Sequence, residues 1–585
     1  MSHPGVPGKV DPITAEILRG AFVAITDEMK INLMRTAYNM IIYEALDFTV
    51  GLFDAAGNTV SIGLGLPMFI RGLSDAIKAK LARYGKDGIH PGDILLTNDS
   101  YIMGSHLNHM IFTQPIFWRG ELVAFASSMA HWLDIGGTLS GSTTDIFSEG
   151  LQLPICKIYA QGKPNEELIE IIRANVRFPD LAMGDFRAQI ASIKTGERRV
   201  LQLLERYGRD AVLGSIDWLM DMSERVAREA VRAIPDGTYE AEAFMDDDGV
   251  RHGVRIPIKV RVRVAGDRMT MDLSEVSPQV QGYFNSGITA GRSACQVAFK
   301  CLTSPLLLPI NDGSFRPLEI ILPPGRVVSA LKPAAVRWWM TIPMTVVDTI
   351  LRALAPAVPD RAAAGHHADL LAILKFGTDA RTGRFYVSAG SLPGGGWGAK
   401  HDGDGMSATV CINDGDTHNS PVESLENKYP FFVEEYRLRE DSGGAGRWRG
   451  GLGTVQAIRL LGETRINSQI ERTQCAPWGL DGGRDGLPNQ IAVKRADGRV
   501  EEFPNGKLHS FPIDPHDAVI LRSGGGGGYG DPRERPPELV REDVLEGYVS
   551  LERAALDYGV VLDPQTLAVD REATKALRER PAASS

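Results

Sequence analysis

The sequence is poor in cysteine and short of positive charge. Its 585 residues include five cysteines, Cys156, Cys295, Cys301, Cys411 and Cys475. They are odd in number and contain no Cys-x-x-Cys pair. That argues against a disulfide framework or a zinc knuckle, and makes a reducing cytoplasm the simplest compartment. Lys and Arg total 63 against 73 Asp and Glu, a net charge of -10. Nucleic acid and anionic membrane both need a basic face, so neither is expected as a partner. No apolar run reaches the roughly 18 residues of a membrane-spanning helix. Met1 to Val10 lacks the apolar stretch of a signal peptide. A Gly-x-x-x-x-Gly-Lys-Ser/Thr loop is also missing. Gly525-x-Gly527-x-x-Gly530 satisfies Gly-x-Gly-x-x-Gly only because it lies in a glycine run, and Asp531-Pro532 follows where a helix should begin. The chain is therefore expected to carry no ATP or dinucleotide site of its own.

What it has in excess is glycine, 63 residues, where about 7% would be usual. They follow no three-residue period, which excludes collagen. They cluster at Gly394 to Gly396, Gly443-Gly444, Gly450-Gly451 and Gly524 to Gly528. Such clusters predict tight turns and close backbone approaches in the second half of the chain.

Periodicity predicts a helix over Ile13 to Glu44, with Leu18, Phe22, Ile25, Met29, Leu33 and Ile41 on one stripe and Asp11-Pro12 at its start. A strand is predicted at Phe48 to Asp54, a helix at Leu73 to Tyr84, and a buried strand at Asp93 to Thr97. Ile111 to Phe117 and Leu122 to Ser128 read as paired strands around Arg119-Gly120. Helices follow over 165–175, 180–206 and 210–234, then a β meander over 239–273, and helices over 289–302 and 346–354. Residues 537–558 read as helical and 575–585 as a frayed tail. The expected class is α+β (mixed α/β). Four regions are expected: 1–235 mixed and bearing the site, 236–380 strand-rich with helices, 381–535 glycine-rich loops and strands, and 536–585 helical.

Three histidines stand out. His106 and His109 are three apart, and His131 follows the first by twenty-five positions. Imidazole is the commonest neutral ligand for divalent transition metals, and a carboxylate completes such sites. On spacing alone the three are either ligands or unrelated polar loop residues. His366-His367 with Asp369 reads as a helix start at the surface, with a second ligand set as the alternative. His418, in Asp414-Gly415-Asp416-Thr417-His418-Asn419, either lines a site or is loop. Cys411 and Cys475 have no base beside them, so a thiol nucleophile is not expected.

Ordered segments along nearly the whole chain resemble the hydantoinase B/oxoprolinase family. They include Asp11-Pro12-Ile13-Thr14, Glu44-Ala45-Leu46-Asp47-Phe48, Asn98-Asp99, Ser105-His106-Leu107, His131-x-x-Asp134-Ile135-Gly136-Gly137 and Glu149 to Pro154. They continue through Asn419-Ser420-Pro421-Val422-Glu423, Asp441 to Gly453, Gly524 to Pro532 and Asp543 to Ser550. The resemblance implies a metal held by Asp47, His106, His109 and His131, with His at 109 where the family usually has Asp. That softer set favours zinc, iron or manganese over magnesium. It also implies a hydantoinase A-type partner subunit of actin-like fold that carries ATP and Mg, in a heterodimer or heterotetramer. The implied reaction is ATP-dependent opening of a hydantoin, oxoproline or lactam, with bicarbonate as a candidate co-substrate. A ketone carboxylase subunit is the alternative, for which Trp132 would supply an apolar substrate wall unless it is simply packed in the core, the reading its type favours. A non-catalytic scaffold for the ATPase is a third reading. Asp134 and Glu149 are the candidate general bases by location. The glycine-rich family segments are expected to be fixed loops, with Gly526 to Gly528 ordered and shielded.

Overall fold

The computed structural model describes residues 10–303, 308–389 and 392–579. The expectations for Met1 to Lys9 and for 580–585 lie outside these residues.

The helix Pro12–Thr36 starts as the sequence predicts, with Asp11 accepting the amide of Thr14. Ala15, Leu18, Phe22, Ile25, Met29 and Leu33 are buried on one stripe. Each of these side chains but Ala15 stabilises the fold by about 1.5–3 kcal/mol. The helix does not run on to Glu44. Ala37 is extended, and a second short helix, Met40–Tyr43, begins at the Asn39 cap. The break is imposed from outside: the buried carboxylate of Asp185 accepts the amides of Tyr38 and Asn39. Asn39 in turn donates to the carbonyl of His131. The helices Pro179–Tyr207 and Arg209–Arg232 pack beside the first one.

These helices cover a seven-stranded antiparallel sheet. Its central pair is His109–Trp118 with Glu121–His131, flanked by Phe48–Asp54 on one side and Ile94–Thr97 on the other. Apolar residues face both sides of the pair, so the strands read as near-continuous burial. The predicted meander forms a second sheet from Gly237–Met245, Ile256–Ala265 and Arg268–Asp272, extended by Leu318–Ile321 in parallel. Two further sheets, of four and five strands, occupy residues 373–522. The α+β class holds.

Three local expectations fail. Residues 537–558 form two helices, Pro537–Leu545 and Leu551–Tyr558, broken where Gly547 takes φ +71°. Arg571–Arg578 is a helix capped by Asp570 rather than a frayed tail from Lys575. His366 and His367 are buried and outside any helix.

The glycine run behaves as expected. Gly524 to Gly528 are buried, and their amides donate to Asn489, Leu487, Gly451, Gly365 and Arg484 from three other segments. A methyl at Gly526 would lie 1.9 Å from the carbonyl oxygen of Trp397. The run is a crossing point of chains, which leaves no room for a dinucleotide pyrophosphate.

Candidate functional site

Strand register brings two histidines together. His109 opens its strand and His131 closes the neighbouring one, so the two are direct cross-strand partners. His106 arrives by a separate device. A single helical turn, Ser100–Met103, is capped by Asp99 and stopped by Gly104 at φ +90°. That turn folds the chain back just before the strand. Asp47 precedes the Phe48–Asp54 strand and accepts the His131 amide through its carbonyl. The ring centres lie 4.8 Å apart for His106–His109, 4.8 Å for His106–His131 and 5.2 Å for His109–His131. His109 Nε2–H donates to Asp47 Oδ1 at 2.8 Å. The rings of Phe69 and Trp339 back His109.

Burial sets the charge state. It pushes the His109 imidazole down to about 3 and holds His106 and His131 well below the ordinary histidine value. All three rings are neutral near pH 7, the form that ligates metals. Burial raises the Asp47 carboxyl to about 6, with His131 opposing. His106 Nε2, His109 Nδ1 and His131 Nδ1 are buried without hydrogen-bond partners.

These donors fit a divalent transition metal in type and spacing. A ligated imidazole has its centre about 3.2 Å from the ion, so three on a tetrahedron stand about 5 Å apart. As the side chains stand, no group of three His, Cys, Asp or Glu among the described residues closes on a common point. The hydrogen bond to Asp47 turns His109 Nε2 aside. Strand register fixes the spacing of His109 and His131, and rotation of the rings is the smaller adjustment that would turn the unpartnered nitrogens toward one another.

His109 is buried beside Asp47, His106 and His131, and these three line a cavity of about 180 Å³ with largely apolar walls. That exceeds the ~150 Å³ that accepts benzene in an engineered core. The walls come from Met40, Ile41, Leu133, Trp338, Leu370 and Ile373 among others, so the cavity draws on far more than residues 1–235. The loop 414–419 closes another side. It is docked by the His418 amide on the Glu44 carbonyl and by Thr417 Oγ1 on that of Ala45. Asp414 is buried in this wall and accepts the Cys411 thiol at 2.5 Å. Burial raises its carboxyl to about 7, and Asp47 adds to that.

Asp134 and Glu149 both line the cavity, and both are occupied. Asp134 pairs with Arg177 Nη1 at 2.6 Å and accepts the Arg177 amide. Glu149 Oε1 accepts Thr143 Oγ1 at 2.7 Å and the amides of Val336 and Arg337 at 3.0 and 2.9 Å. Burial raises the Glu149 carboxyl to about 7. The Arg337 carbonyl then lies 3.1 Å from His106 Nδ1 and accepts its hydrogen.

Trp132 does not form a substrate wall. It is fully buried in the main core, and its Nε1–H donates to Gln189. Trp338 lines the cavity instead. His366 belongs to a separate buried network with Asp348, itself held by Arg472 and Trp478. Sequence reasoning missed Arg337, Trp338 and the carboxyl of Asp414. Only the last had a signal, in the polar loop ending at Asn419.

The family model for hydantoinase B/oxoprolinase matches residues 11–532. Caprolactamase subunit beta of Pseudomonas jessenii is 33% identical over 587 residues, spanning 97% of this chain and 99% of that one. The crystal structure of ATP-dependent caprolactamase from Pseudomonas jessenii superposes with a TM-score of 0.89 at 31% identity, covering 97% of this chain and 99% of that chain. Acetone carboxylase in its nucleotide-free structure gives a TM-score of 0.90 at 20% identity, over 97% of this chain and 82% of that one. The last is a likeness of fold.

Proposed function

The chain belongs to the hydantoinase B/oxoprolinase family, and from that premise we propose that it is the metal-bearing subunit of a two-component, ATP-dependent enzyme that opens a cyclic amide. Its partner would be an actin-like ATPase subunit that supplies the phosphoryl chemistry. The observation that carries this reading is the convergence of three neutral imidazoles and Asp47, of which His106, His131 and Asp47 line an apolar cavity. Likeness to a caprolactamase along the full chain supports the amide class.

His106, His109, His131 and Asp47 would hold zinc, iron or manganese, which when bound would supply Lewis-acid polarisation of a carbonyl and a more acidic water. The chain's own residues do the rest. Met40, Ile41, Leu133 and Leu370 exclude bulk water from the ring of the substrate. The Glu149 clamp fixes the segment that orients His106. Asp414, with its carboxyl raised to about 7, can hold a proton for the departing amide nitrogen. Asp134 and Glu149 act as anchors in this scheme rather than as the base.

The test is co-expression with an actin-like ATPase subunit, followed by ATP-dependent turnover of lactams, hydantoins and oxoproline in the presence of labelled bicarbonate. Ring opening that depends on both subunits is expected. Label retained in a new carbon–carbon bond would sink the amide reading in favour of carboxylation. Normal turnover by His106→Ala/His131→Ala would reduce the chain to a scaffold.

A further inference from the structure

We propose that Arg337 is the anion-binding residue of this chamber and that it receives a planar monoanion, a carboxylate or bicarbonate. Its Nη1 is buried and has no hydrogen-bond partner. Among the described residues no carboxylate lies within 4.0 Å of the guanidinium. Glu149, Tyr283 and Asp134 act on it only at longer range. Arg337 as a whole is half-buried, but burying a charged donor such as Nη1 without a partner is costly, and proteins normally supply one. Here the group lines the cavity, where it is the sole arginine or lysine among the described residues.

The segment that carries Arg337 is held rigidly. Glu149 accepts the amides of residues 336 and 337, and Asn285 Nδ2 donates to the Ala335 carbonyl. The carbonyl of Arg337 itself accepts from His106 Nδ1. Arg337, His106 and His131 line the same cavity, so an anion bound by the guanidinium would share the chamber with those two imidazoles. The fork geometry of arginine matches a planar oxyanion. A phosphate dianion would call for further cations, and the described walls contribute carboxylates instead, at Asp47, Asp134, Glu149 and Asp414.

The choice of anion rests on the amide-opening reading. When water adds to an amide carbon and the C–N bond breaks, both water protons leave the oxygen: one goes to the departing nitrogen and the second to the freed amine as ammonium, and the carbon is left as a carboxylate. Bicarbonate is the other source of the same planar charge.

The test needs neither ATP nor an amide. The full chain is titrated with sodium bicarbonate, sodium acetate and sodium phosphate at constant ionic strength, with the fluorescence of the cavity-lining Trp338 as reporter. Saturable binding of bicarbonate or acetate is expected, weakened at least about tenfold in Arg337→Gln and less in Arg337→Lys, which keeps charge but loses the fork. Thermal melting checks each variant; if the Gln variant fails to fold, the Lys variant carries the comparison. Absence of saturable binding in the wild type, equal binding by folded variants, or tighter binding of phosphate than of both planar anions would overturn the proposal. Arginine-dependent anion binding in a chain that opens no amide with its partner would overturn the proposed reaction alone. Preference for acetate points to the product carboxylate, and preference for bicarbonate to a co-substrate.

Discussion

His109 and His131 face each other across two antiparallel strands, with ring centres 5.2 Å apart. The pairing of these two positions is set by the backbone and so survives mutation of either ring. His131→Ala and His106→Ala should therefore fold, with melting temperatures near wild type, and lose bound metal. Elemental mass spectrometry should show at least about a tenfold drop in occupancy under non-saturating metal. Equal occupancy in all three proteins would remove the metal reading.

His109→Asp tests whether position 109 is a ligand. It would place a second buried carboxyl beside Asp47, whose Oδ1 is 2.8 Å from the present ring nitrogen. Without a cation such a pair repels, and one member stays protonated. The variant should be less stable than wild type without metal and gain more in melting temperature on adding zinc or manganese. Saturation at about 100 times Kd contributes about 2.7 kcal/mol. A variant that is insensitive to metal would place position 109 outside the ligand set.

Glu149→Ala removes the acceptor of two buried amides and one hydroxyl. Each unsatisfied donor costs about 1–3 kcal/mol, so a loss of several kcal/mol is expected, with weaker metal binding as His106 loosens. Glu149→Gln keeps a carbonyl acceptor and should retain metal and most turnover. A pH series adds a sign. The folded carboxyl sits at about 7, above its ordinary value of 4.5, so its contribution is full below about 4.5 and is lost as pH rises through 7. The stability gap between wild type and Glu149→Gln should narrow over that window. A Gln variant with intact fold and metal but turnover reduced by orders of magnitude would restore Glu149 as the general base.

The legible part of the site was the part built locally. Alternation over 111–117 and 122–128 around Arg119-Gly120 defines a hairpin, and the hairpin alone pairs His109 with His131. Metal occupancy is a separate matter that spacing leaves open. Long-range contacts hid the rest. The apolar stripe of the first helix continues through Met40 and Ile41, so periodicity shows no break; the break comes from Asp185, far along the chain. His366-His367 reads as polar surface because nothing nearby reveals Asp348 and Arg472 waiting in the core. Arg337 carries no motif, and its role depends on a wall assembled from several distant segments.

His367 offers a pH test away from the cavity. It is buried, neither ring nitrogen has a partner, and burial with the neighbouring His366 pushes it down to about 3. A depressed histidine contributes stability that is full above its unfolded value of about 6.5 and is lost as pH falls toward 3, because only the unfolded chain takes the proton. That proton is worth about 1.4 kcal/mol per pH unit. His367→Gln should flatten the fall in melting temperature between pH 7 and 4. Parallel curves for the two proteins would show that the ring is protonated in the native state.

Gly526 separates a packed crossing from a flexible linker. A Cβ there would lie 1.9 Å from the Trp397 carbonyl oxygen and 2.1 Å from its carbon, both backbone atoms that cannot swing aside. Gly526 also donates to the Gly451 carbonyl, and its own carbonyl accepts from Gly444, so any shift breaks contacts in two other segments. Gly526→Ala should cost more than the roughly 1–3 kcal/mol of ordinary overpacking, seen as a large fall in melting temperature or as insoluble protein. Gly462→Ala is the matched control, since nothing lies within 4 Å of its added carbon and its φ is not in the left-handed range; it should stay within about 0.5 kcal/mol of wild type. Equal tolerance at both positions would mean that the run is loose, and that the Ser442 to Gly453 and Gly524 to Gly530 segments do not brace one another.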